Sequence, residues 1–168
     1  KHFAEKAGDF QIQSAGVKAK LDFGAQLKYA ANSLVTDPES YGIVRQLSLA
    51  MVNDPESTYS RKGVPREELL RMTESELAKG YFEGLLAADK PEFARHQLMG
   101  GKWDDKLTST DKLSILLHAD AKIKVNETKT KQIDSRTIAE YAIEAGSKLA
   151  LETPQTVGPK SISPTTAS

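Results

Sequence analysis

The chain has 168 residues, 39% of them apolar and 27% charged, and its 23 basic side chains balance 23 acidic ones. That length holds one domain with a real core, and formal neutrality removes the positive field expected of a dedicated nucleic-acid binder. The absence of cysteine excludes disulfide frameworks, thiolate zinc sites, iron–sulfur clusters and cysteine nucleophiles.

No apolar run approaches the roughly 20 residues that span a bilayer, and no basic-then-apolar leader is present. The first residue is Lys1 rather than methionine, which fits a fragment or processed product. The expected setting is cytoplasmic, or that of a soluble domain of a membrane-anchored protein.

In chain order, "GDFQIQSAGVKAKLDFG" alternates apolar and polar residues: Phe10 and Ile12, then Val17, Ala19, Leu21 and Phe23. Period two around Ser14-Ala15-Gly16 predicts a β-hairpin over residues 1–23 with one apolar face. A lone hairpin is marginal in water, so that face needs the rest of the domain, a protein partner or a second copy. Residues 24–151 read as a helical domain of about six helices, and the fold class expected is mainly α (α+β).

Leu27, Ala30, Ala31 and Leu34 fall at helical spacing, as do Ile43, Val44, Leu47, Ala50 and Met51. The tetrapeptide DPES occurs twice, Asp37–Ser40 and Asp54–Ser57. In each, aspartate suits an N-cap and proline the first helical position, so the repeat reads as two helix starts. No third copy follows, which argues against a repeat array. "VPREELLRM" predicts a short helix. "TESELAKGYFEGLLAADK" predicts a second one, opened by a capping box from Thr73 to Glu76. Gly80 and Gly84 sit one turn apart on it, each costing about 1 kcal/mol relative to alanine; a close neighbouring backbone explains them, and so does a loose helix.

"PEFARHQLMGG" predicts a helix opened by Pro91 and stopped at Gly100-Gly101. "DKLSILLHAD" supplies another, Ile123 to Val125 a short strand or extended loop, and Asp134 or Ser135 the cap of a last helix carrying Ile138, Ala142, Ala145 and Leu149. Residues 152–168, rich in Pro, Ser and Thr, read as a flexible tail or linker.

The three histidines, His2, His96 and His118, have no ligand spacing, so no metal site and no cofactor is expected. "MGGKWDD" lacks the spacing and preceding strand of a phosphate loop, and no nucleophile elbow occurs. Glu83, Glu92, Asp104 and Asp105 are acid–base candidates only by their neighbours. "NET" at Asn126 matches a glycosylation acceptor, a pattern short enough to arise by chance.

The densest constellation is "EFARHQLMGGKWDD". It offers Trp103 as the floor of a pocket with Arg95, His96 and Asp104 as polar fingers, or Trp103 as a core plug with the acids in water. Lys122, Lys124, Lys129 and Lys131 form a basic stretch that suits a phosphate backbone or anionic surface, or a wet edge kept soluble by lysine.

The function expected is therefore a non-catalytic binding, regulatory or assembly module, associating with a protein partner or itself through the hairpin. The alternatives are a small hydrolase working around His96 and Trp103, and nucleic-acid or anionic-surface contact through residues 122–136.

Overall fold

The alternating start of the chain is helical. In the computed structural model, which describes residues 2–57, 59 and 62–152 and the side chains of 11, 14–57, 59 and 62–151, α1 runs His2–Thr36. A 3-10 turn at Pro38–Ser40 follows, then α2 (Tyr41–Asn53), α3 (Arg66–Ala87), α4 (Pro91–Met99) and α5 (Ser109–Glu152). These five α-helices carry the fold, and none is long and apolar enough to cross a membrane. The tail expected beyond Glu152 lies outside the described residues.

The hairpin expected over residues 1–23 is thus corrected to helix, for a reason of periodicity. Periods of two and of 3.6 nearly coincide at every fourth residue. Ala19 and Phe23 belong to both patterns, but only the helical one continues through Leu27, Ala31 and Leu34, all buried. Val17 and Leu21, which the strand pattern needs inside, are 59% and 70% exposed. The strand or extended loop expected at Ile123–Val125 is likewise absorbed into α5. The two helices expected between Pro65 and Lys90 are one: Thr73 is fully buried mid-helix, and its Oγ1 donates to the Leu69 carbonyl at 2.7 Å instead of capping anything.

Both DPES segments form the same aspartate turn. The Glu39 N–H donates to Asp37 Oδ1 at 3.2 Å and the Glu56 N–H to Asp54 Oδ1 at 2.9 Å. The first turn leads into α2, while the second ends α2 and leads away from it.

Contacts divide the chain into two units, Lys1–Val125 and Asn126–Ser168, the boundary falling inside α5. In the first unit α3 is the central element. Its Leu69 joins Phe23, Leu27, Val52 and Val64 in one apolar cluster; its Phe82, Leu85 and Leu86 join Ala94, Leu98, Trp103 and Ile115 in another. α1 crosses α3 at Gly80 and Gly84. A Cβ on Gly80 would lie 2.5 Å from the Ala31 carbonyl oxygen, and one on Gly84 would collide with that of Leu34. The close backbone approach, not looseness, explains these glycines. In the second unit the described residues are helical, with the pairs Arg136–Glu140 at 3.0 Å and Glu144–Lys148 at 3.3 Å along one helix.

Candidate functional site

Four segments of the first unit meet around a cleft of about 650 Å³, within the range of small-molecule sites. The aspartate turn at Asp37 delivers Pro38 and aims the start of α2, so that Tyr41 and Arg45 reach the cleft on successive turns. α3 contributes Tyr81 and Leu85, again one turn apart.

The chain then reverses through a paired hydrogen-bond motif. The Asp89 N–H donates to the Leu86 carbonyl at 3.2 Å and the Lys90 N–H to that of Leu85 at 2.9 Å. Asp89 takes the left-handed φ of 57° that this helix ending requires. Lys90 is thereby placed on the rim, and Pro91 opens α4, which adds Phe93 and Gln97.

Gly101, at φ 76°, turns the chain after α4, and backbone bonds from the Lys106 and Leu107 N–H groups to the Trp103 carbonyl, at 3.1 and 3.0 Å, close the loop. Glycine is favoured there because a left-handed φ costs other residues about 1–2 kcal/mol. The loop buries Trp103 to 5% exposure and leaves Lys102 and Lys106 beside it.

The floor is aromatic. Tyr81 stacks on Trp103 with centroids 5.1 Å apart and planes 16° from parallel, while Tyr41 and Phe82 meet Trp103 edge-on at 5.2 and 5.0 Å. Such pairs add about 0.5–1.5 kcal/mol each beyond area burial. Two polar atoms in this cluster, Tyr41 Oη and Trp103 Nε1, are buried and without a hydrogen-bond partner among the described residues. A group left so costs about 1–3 kcal/mol. Burial, with the Glu74 carboxylate adding to it, pushes the Tyr41 phenol up to about 12. Burial raises Tyr81 as well.

The rim is cationic: Arg45, Lys90, Lys102 and Lys106 line the cleft against one carboxylate, Glu39. Arg45 is already engaged. Its Nε donates to both Glu74 oxygens at 2.9 Å and its Nη2 to Oε1, and this bond to Glu74 raises the guanidinium further. The lysines are held loosely. Lys90 lies 3.4 Å from the exposed Glu39 and Lys106 3.3 Å from the exposed Asp105, while Lys102 has no ion pair among the described residues.

Of the residues singled out from sequence, Trp103 belongs both to the core and to the cleft lining. Arg95, His96 and Asp104 do not line the cleft: Arg95 pairs with Asp120 at 3.0 Å, Asp104 pairs with Lys112, and His96 is exposed on α4. In the basic stretch, Lys122 Nζ donates to the Leu86 carbonyl, a cation at the negative end of α3. Residues two apart on a helix are turned by about 200°, so Lys124 leaves by another side than Lys122, and Lys131 by another than Lys129. None of Tyr41, Tyr81, Phe93, Lys90, Lys102 and Lys106 stands out as a site residue in the sequence, because four segments joined only by the fold supply them.

Comparison of the chain with protein-family models, with curated proteins and with solved structures finds no match in any of the three.

Proposed function

We propose that the chain is a non-catalytic binding module whose ligand site is the aromatic-floored cleft between α2, α3, α4 and the Trp103 loop. One observation carries the reading. A 650 Å³ cleft is built on a stacked Tyr81–Trp103 pair and walled by convergent polar side chains, the composition of a site that orients a ligand by a few polar contacts. What favours binding over hydrolysis is the arrangement of the acid–base groups. The cleft's one carboxylate, Glu39, is 83% exposed, while His96 and Asp104 belong to other surfaces. A general acid or base has to sit within hydrogen-bonding reach of the reacting atom.

The test is a fragment screen on the full chain followed by amide NMR shifts. Hits are expected to perturb residues of the cleft, foremost Tyr81, Phe93, Lys102 and Trp103. Hits confined to other surfaces, or none from a library of several hundred fragments, would remove the proposal.

A further inference from the structure

We infer that the ligand of this cleft is a small planar organic anion, a flat apolar body bearing a carboxylate or phosphate head that Lys90, Lys102 and Lys106 receive. The inference rests on the cleft being the ligand site and adds the chemistry of the occupant.

The charge argument begins from the whole chain. With 23 cations and 23 anions overall, a lining of four cations to one carboxylate is a local asymmetry rather than a reflection of composition. Arg45 is discounted, because Glu74 already holds its fork. The three lysines remain. Lys90 and Lys106 have acidic neighbours 3.3–3.4 Å away and exposed, Glu39 by 83% and Asp105 by 74%. Exposed pairs of that kind are weak and exchange readily, so an incoming anion displaces a loosely held carboxylate rather than a buried one. Lysine heads on flexible stems serve as point charges for carboxylate or phosphate without a fixed fork geometry.

The body of the ligand follows from the apolar side. Phe93, although on the cleft wall, is 47% exposed, and Leu85 and Tyr81 stand across from α4 on α3. A ring entering there covers an exposed phenyl and meets aromatic edges and faces, which favour flat partners. Trp103 belongs to the same lining, stacked against Tyr81.

A single tryptophan gives a single indole N–H signal in a nitrogen-15 NMR spectrum, so Trp103 reports its own environment. The probes are 2-naphthoate, 2-naphthyl phosphate, the neutral 2-naphthamide and acetate, titrated into the full chain. The expected result is that the naphthyl anions shift the indole and Phe93 signals and bind about ten-fold or more tighter than naphthamide, a step of one charge-assisted contact. Acetate binds more weakly than either, and the anions weaken with added salt. Lys102→Met should loosen the anions about three- to ten-fold and naphthamide by a smaller factor. Lys102 is exposed in its loop, so the variant keeps the fold. Whichever head binds tighter assigns the ligand to the carboxylates or to the phosphate esters. Equal binding of naphthamide and naphthoate in the cleft would overturn the anion inference and leave the ligand site standing. No shift from any naphthyl probe would overturn both.

Discussion

Replacing Gly84 by alanine sets two effects of opposite sign against each other. Glycine in a helix interior is about 1 kcal/mol worse than alanine, so on propensity alone the variant gains. At the crossing, however, the new Cβ collides with the Leu34 carbonyl oxygen and lies 3.1 Å from both the Leu34 carbonyl carbon and Pro38 Cβ. At Gly80 it meets Ala31 O, Cα and C at 2.5, 2.8 and 2.9 Å. These are mostly backbone atoms, which no rotamer change can move. Restoring ordinary contact requires α1 and α3 to part by roughly 1 Å, and interiors packed to crystal density transmit such a shift.

Overpacking of this kind costs about 1–3 kcal/mol, or more where backbone must move, so the net expectation for Gly84→Ala is a loss of about 2 kcal/mol. In a chain of this size that lowers the melting temperature by roughly 4–8 °C. Gly80→Ala should behave alike. Gly42→Ala, helical as well but with nothing within 4 Å of its new methyl, should keep the propensity gain alone and raise stability by up to about 1 kcal/mol. Urea midpoints for the three variants decide the matter. If Gly84→Ala unfolds at or above the wild-type midpoint, the α1–α3 crossing described above is wrong.

Asp22→Pro places proline inside α1 at an exposed position and should cost about 3 kcal/mol with loss of helical circular dichroism; a neutral result would mean that the chain is not helical at that position. Because burial holds the folded Tyr41 phenol at about 12, above the ordinary phenol value of 10.0, its contribution to stability is fully present below pH 10 and is lost as pH rises through the folded value. Glu74→Gln removes a carboxylate that raises this phenol, so the last step of tyrosinate absorbance should move to lower pH, and Tyr41→Phe should abolish that step. Lys122→Met removes the cation from the carbonyl end of α3 and should lower stability by about 1 kcal/mol, measured by denaturation at low and high salt.

The parts of the structure legible in sequence are those set by neighbours along the chain. An aspartate followed by proline makes the same turn at Asp37 and Asp54 because the acceptor and the amide it caps are two residues apart. Pro91 and the Gly100-Gly101 stop bound α4 for equally local reasons. Periodicity was less decisive. Ala19 and Phe23 satisfy two patterns, and only the continuation to Leu34 separates them. On α2 the apolar stripe is real, yet Ile43 and Leu47 are each 67% exposed while Ser48 and Val52 are buried: amphipathicity shows that a helix has two faces, not which one the fold covers. The T-x-x-E spacing at Thr73 resembles a capping box, but an uninterrupted helix supplies the amide partners a cap would otherwise provide. The cleft was legible only at Trp103, whose neighbours in space come from residues 38 to 106.

The two DPES turns, identical in local chemistry, differ in what they hold. Asp37 and Asp54 each accept one backbone N–H, so Asp37→Ala and Asp54→Ala should each cost about 1 kcal/mol, the usual loss for one such hydrogen bond. Only the first turn carries the cleft with it. Pro38 fits against the bare face of Gly84, and the turn sets the start of α2 from which Tyr41 meets Trp103 at 5.2 Å and Tyr81 at 5.0 Å. Relaxing it changes the ring currents felt by the indole. The Trp103 N–H signal should therefore move in Asp37→Ala and stay in place in Asp54→Ala, at equal loss of stability. An indole signal that answers both variants alike, or neither, would mean that α2 is positioned by packing alone and that its capping turn has no part in shaping the cleft.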